Sequence, residues 1–265
     1  MIWEVHALKY AQRKFCKRGD NFMMDPHHSR SHPMDFYIWL LKSGNRRILV
    51  DTGYDLEEAK ARAWPILSAP EQMLCEFGHP PDSIDDIILT HLHFDHAGSL
   101  KAFPGARLHV QAAEMAFATG PCMCSDHMRV PFTGEHVCDM VRALYAGRVS
   151  FAEGSREIAP GVEVHLIGGH SRGLQCVRVA TRRGWVVLAS DASHFYENFL
   201  QKKPFPVVID MEDVLLGFDR LSSLAESDAH IVPGHDPRVR DYYPPTISGS
   251  DRIVKLHAEP RNMTG

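Results

Sequence analysis

Thr90-His91-Leu92-His93-Phe94-Asp95-His96-Ala97-Gly98 packs three histidines and an aspartate into six consecutive positions, straight after the short apolar run 87–89. Burying four such side chains at a strand end without partners is costly, and a bound cation is the partner that suits all four. In an extended segment, positions i and i+2 face the same side, so His91 and His93 can grip one cation. Once the chain turns, Asp95 and His96 can face a second cation beside the first. The chain holds 17 histidines in 265 residues. Histidine is the commonest side-chain metal ligand and the usual proton-transfer group, so this surplus needs a chemical reason.

The arrangement recurs downstream. His170 follows the apolar run 162–167 and Gly168-Gly169, Asp191 follows 185–190, and His235 follows Ile231-Val232-Pro233-Gly234. In each case an apolar strand delivers one His or Asp into a turn, where it can reach a common site.

The remaining pattern is strands interspersed with helices. Strands are expected at 36–41, 47–50, 87–89, 107–110, 162–167, 176–180, 185–189 and 231–232, besides an apolar N-terminal strand. Ser43-Gly44-Asn45 and Arg182-Arg183-Gly184 read as hairpin turns. Helices are expected at 56–63, 70–77 and 211–225. This order suggests sheets covered by helices on their outer faces. Residues 116–145 read as an irregular insertion ending in a helix near 137–145. A single domain spanning 1–265 is expected, since one core of roughly 250 residues is common.

Composition narrows the function classes. A net charge of −4 disfavours nucleic acid, which would normally ask for a basic surplus. No run approaches the ~20 apolar residues of a membrane span. Met1-Ile2-Trp3-Glu4-Val5-His6 lacks a basic region followed by an apolar one, so a secretory signal is not expected. The six cysteines show no CxxC pair, and Cys122-Met123-Cys124 is too tight for ordinary zinc-finger spacing. Reduced thiols in a cytoplasmic protein are the expectation.

The HxHxDH run with its later His, Asp and His resembles the metallo-β-lactamase-fold hydrolases, and within them the N-acyl-homoserine lactonase group. The resemblance extends to Ile48-Leu49-Val50-Asp51-Thr52-Gly53, Gly169-His170-Ser171, Ser190-Asp191-Ala192-Ser193 and Pro233-Gly234-His235-Asp236. It implies an α/β fold: an αββα sandwich of two mixed sheets covered by helices, with a two-metal centre between the sheet edges. His91, His93 and His170 match the ligands of one metal, and Asp95, His96 and His235 those of the other. Asp191 matches the carboxylate bridging both, and Asp51 a position that supports a ligand histidine. This donor set fits zinc, with Mn, Fe or Co also compatible by ligand type.

The activity implied is hydrolysis by a water activated between the two ions, opening a lactone or related cyclic ester. Catalytic roles fall to Asp95, Asp191 and His194. Asp95 would accept and return a proton. In the familiar lactonases a tyrosine stands three residues after the bridging aspartate and donates to the substrate carbonyl. Here that position is His194, and Tyr196 lies two residues further on. Phe94, Phe195, Tyr196 and Phe199 are candidates for an apolar substrate wall, and Arg172 for an anionic substrate group. The segments from Phe22 to His32 and from His127 to His136 are candidate rims. A glyoxalase-II-like thioesterase would use the same ligands, and a cyclic amide or imide hydrolase is the further alternative that His194 raises. A mononuclear-iron dioxygenase or a non-catalytic metal-binding protein would also fit the scaffold. The expected partner is a small molecule, with no nucleic acid and no membrane, and the N-terminal strand and insertion could support a homodimer.

Overall fold

The computed structural model describes residues 1–247 and 249–261. Six strands come first: β1 (Glu4–Arg13), β2 (Met34–Ser43), β3 (Arg46–Val50), β4 (Asp86–Ile88), β5 (Arg107–Gln111) and β6 (Val149–Ala152). Next are β7 (Ser155–Ala159), β8 (Val162–Leu166), β9 (Gln175–Thr181), β10 (Gly184–Ser190) and β11 (Ile231–Pro233), then β12 (Pro245–Ile247) and β13 (Ser250–Lys255). They form one eight-stranded sheet ordered β12-β13-β1-β2-β3-β4-β5-β6 and one five-stranded sheet ordered β11-β10-β9-β8-β7. Both are mixed. Strands β3 to β6 run parallel, as do β10 and β11, while the other pairs are antiparallel.

Strand β2 shows why the expected runs are so continuously apolar. Its side chains alternate between two cores. Tyr37, Trp39 and Leu41 join the cluster that includes Val162, Val177 and Val187 of the smaller sheet. Phe36, Ile38 and Leu40 join a second cluster under the outer helices. A strand buried on both faces loses the polar half of its alternation. The helix Met211–Leu224 closes the outside of the smaller sheet by burying Phe218 and Leu221, and Asp210 caps its start by accepting from the Glu212 and Asp213 N–H groups. The sequence places this helix and those at Leu56–Ala61 and Pro70–Glu76 to within two residues.

The segment 116–145 is more regular than expected. It contains the end of the helix Ala112–Ala118, a 3-10 helix at Pro121–Cys124, a one-turn α-helix at Asp126–Arg129, and a helix from Gly134 to Tyr145. All six cysteines are free thiols. No helix among the described residues is long and apolar enough to cross a membrane.

The sheets set the site by one rule. Asp51 follows β3, His91 to His96 follow β4, His170 follows β8, Asp191 follows β10 and His235 follows β11. Each lies beyond the carboxyl end of its strand, so the parallel directions of β3 with β4 and of β10 with β11 aim these loops at one place.

Candidate metal centre

The convergence is complete for the seven histidine and aspartate side chains read from sequence. On one side, His170 Nε2 lies 3.1 Å and His91 Nε2 3.7 Å from Asp191 Oδ2, and His93 Nδ1 lies 3.0 Å from His170 Nε2. On the other, His96 Nε2 and His235 Nε2 lie 3.2 and 3.0 Å from Asp191 Oδ1. Asp95 Oδ2 stands 3.5 Å from His96 Nε2 and 3.8 Å from His235 Nε2. The two oxygens of Asp191 thus face two separate groups: His91, His93 and His170, then Asp95, His96 and His235.

The outward nitrogens are tied down. His96 Nδ1 donates to Asp51 Oδ2 at 2.8 Å, His170 Nδ1 to the Val207 carbonyl at 2.9 Å, and His235 Nδ1 to the Asp35 carbonyl at 2.9 Å. Asp51 is fixed in turn by the Thr90 N–H at 2.7 Å and the Thr90 hydroxyl at 2.8 Å. Its φ of +60° and the +48° of Ser190 put two non-glycine residues in the left-handed region beside the ligand loops. Gly234 lets β11 pass Ser190 closely, since a Cβ there would meet the Ser190 carbonyl carbon at 2.8 Å.

This donor set fits divalent cations. His91 Nε2 and His96 Nε2 are buried, aimed inward and without a hydrogen-bond partner, which is expensive unless an ion is the partner. Burial drives His91 and His93 well below the usual histidine range, leaving neutral rings with free lone pairs. Burial also lowers His96, but Asp191, Asp95 and Asp51 outweigh it and hold that ring well above its ordinary value. His235 is raised in the same way, against burial, by Asp191 and Asp95. Asp191 goes down: burial raises it, but His194, His96 and His235 overcome that.

The centre forms the floor of a cavity of about 420 Å³. Phe94, Phe36, Trp64 and Phe205 line it, with the Arg13 guanidinium 3.9 Å from the Trp64 ring centre. His194 also faces it. Its Nε2 lies 3.0 Å from Asp191 Oδ2, and its ring stacks on Phe205 at 3.5 Å. Burial pushes His194 down to about 3.

Three aromatic expectations need correcting. Phe195 lies in the core against Phe22 and His32, and Tyr196 and Phe199 lie in the core between the layers. The turn after His194 leads into the helix Tyr196–Gln201, whose buried side carries these rings away from the cavity. The buried Tyr196 hydroxyl is therefore not a substitute for His194. Arg172 is exposed, with its guanidinium 5.6 Å from the Phe117 ring centre, outside the cavity lining. Of the expected rims, Pro131 lines the cavity, whereas His32 packs beneath it on Phe195.

Glu114 escaped the sequence reading. This buried carboxylate accepts from Leu92 N at 2.9 Å, from Gly173 N at 2.8 Å and from the Ser171 hydroxyl. It therefore clamps the His91–His93 loop to the His170 loop. Gly173 is required there, because a Cβ would overlap the Glu114 backbone. The Tyr10 hydroxyl likewise anchors the Asp95 carbonyl at 2.9 Å. Neither residue carries a local signal of its task.

Residues 37–235 match the family model of the metallo-beta-lactamase superfamily, a span that contains the whole cluster. The chain belongs to this superfamily. An N-acyl homoserine lactonase of Bacillus cereus is 31% identical over 216 residues, covering 76% of this chain and 80% of that protein. A probable metallo-hydrolase of Mycobacterium tuberculosis is 27% identical over 224 residues, covering 76% and 71%. Among solved structures, an N-acyl homoserine lactone hydrolase with N-hexanoyl-L-homoserine bound at its catalytic metal centre superposes with a TM-score of 0.76. It is 26% identical, over 91% of this chain and 96% of that one. The metallo-beta-lactamase fold, with two mixed sheets and helices outside, is thus shared over nearly the full length.

Proposed function

We propose that this superfamily member is a dinuclear metal-dependent hydrolase that opens a lactone ring. The observation that carries the reading is Asp191, whose two oxygens face two separate ligand groups at the floor of a largely apolar cavity. The lactonase relatives support the ring ester as the scissile group. Two divalent ions held by His91, His93, His170, Asp95, His96, His235 and Asp191 would polarise the ester and ionise a water at neutral pH.

The chain's own groups account for the rest. Asp95, whose carbonyl is pinned by Tyr10, offers a carboxylate that takes the proton from the attacking water and returns it to the leaving alkoxide. His194, whose ring is stacked on Phe205 and whose Nε2 stands 3.0 Å from Asp191 Oδ2, would turn its Nε2–H from that carboxylate toward the ester oxygen as negative charge grows there. Phe94, Phe36 and Trp64 exclude water and receive an apolar substituent on the ring. The leaving group stays tethered, so the product is a hydroxy acid.

Zinc is the proposed metal, on the histidine-rich donor set. Six free cysteines support a reducing, cytoplasmic setting. Phe15 and Met24, exposed after the N-terminal strand, and Val130 and Tyr145, exposed in the 116–145 segment, support a homodimer. The test is acid release by the purified, zinc-loaded protein on a panel of acylated lactones, thioesters and cyclic imides. Lactones should be turned over fastest. A thioester or imide preferred over every lactone would overturn the reading.

A further inference from the structure

A second cluster of metal-binding type stands at the opposite end of β1 from the cavity. Glu4 and His6, two residues apart, share one face of the strand, and His257 comes alongside just past β13. One ligand atom from each lies within 4.8 Å of the others. His6 is only 3% exposed. Its Nδ1 lies 3.0 Å from the Thr246 hydroxyl, while its Nε2 is buried without a hydrogen-bond partner, 3.6 Å from Glu4 Oε2. His257 Nδ1 lies 2.9 Å from both the Val5 carbonyl and the Val5 N–H, and in the tautomer that donates to the carbonyl its Nε2 keeps a lone pair for a cation. Both rings are thus tied at Nδ1, the way ligating histidines are usually fixed. Burial pushes His6 down to about 3, so its ring is neutral and keeps its lone pair.

We propose that Glu4, His6 and His257 form a separate site for a borderline divalent cation such as zinc. Two imidazoles and one carboxylate give three ligands, and because the Glu4 side chain is 57% exposed, water completes the fourth position. Lys42 is the present competitor, with its Nζ 3.5 Å from Glu4 Oε2, and it must swing away when a cation binds. The bound ion pins the first strand to the segment after β13, so its effect is on stability rather than on the distant cavity.

The test uses the full chain with its seven-residue centre already loaded. After equilibration with excess zinc and gel filtration, the wild type should hold one more zinc than Glu4→Gln or His257→Gln. Zinc at about 100 times its Kd should raise the wild-type Tm by roughly 5–10 °C and leave both variants unmoved. Glu4 is largely exposed, so Glu4→Gln folds normally. Lys42→Met should tighten this zinc binding by roughly twofold to fivefold. Equal zinc counts in wild type and either variant, or a Tm rise that survives in Glu4→Gln, would overturn the site.

Discussion

Asp51 Oδ2 sits 2.8 Å from His96 Nδ1, and both side chains are buried. The carboxylate also accepts two bonds from Thr90, so one aspartate after β3 sets both the orientation of His96 and the start of the ligand loop after β4. Asp51→Ala should weaken metal binding by about 10- to 100-fold, the usual cost of losing a partner behind a ligand histidine. Competition with a chromophoric chelator measures this, and an unchanged affinity would show that the ring needs no such support.

Glu114 gives a stability prediction. Glu114→Ala leaves the Leu92 and Gly173 N–H groups and the Ser171 hydroxyl buried without an acceptor, at about 1–3 kcal/mol each. Thermal unfolding of the metal-loaded protein should show a Tm loss of roughly 10 °C. Glu114→Gln keeps one acceptor oxygen and should fall between the two. Equal Tm values for all three proteins would mean that the clamp contributes nothing.

His194 separates binding from turnover. His194→Ala should retain both ions while kcat falls by roughly 10- to 1000-fold, the range for losing one donor to a developing oxyanion. Metal analysis beside kinetics decides it. A lost ion would make His194 a ligand instead, as its 3.0 Å approach to Asp191 Oδ2 permits.

The acid side of stability has a local source. Arg18 and Lys203 hold Glu197 down at about 2, against an ordinary value of 4.5, tying the segment after β1 to the helix Tyr196–Gln201. A depressed carboxylate contributes fully above its unfolded value and loses that contribution as pH falls toward its folded one. The tie should therefore weaken between about pH 4.5 and 2. Glu197→Gln should flatten that limb of a Tm-against-pH curve, and a curve superposable on wild type would refute the assignment.

The positions brought together by backbone direction were legible in the sequence. An apolar strand followed within a short turn by His or Asp marks a residue delivered to a strand tip, and His91, His170, Asp191 and His235 all read that way. What packs around them was not. Glu114 reaches Gly173 across 59 residues, and Phe205 covers His194 from a separate loop. Phe195, Tyr196 and Phe199 misled because nearness in sequence to His194 is not nearness to the cavity once a helix begins. Strands β6, β7, β12 and β13 were missed as short or polar runs on or beside a sheet edge, where no second buried face makes them continuously apolar.

The central claim is that Asp191 joins two ion positions that act together on one ester bond. Asp191→Asn tests it most directly, with bound zinc counted and lactone opening followed on the same preparation. The account predicts that fewer than two ions remain at the seven-residue centre and that nearly all ring opening is lost. A variant that keeps both ions and wild-type turnover would contradict it.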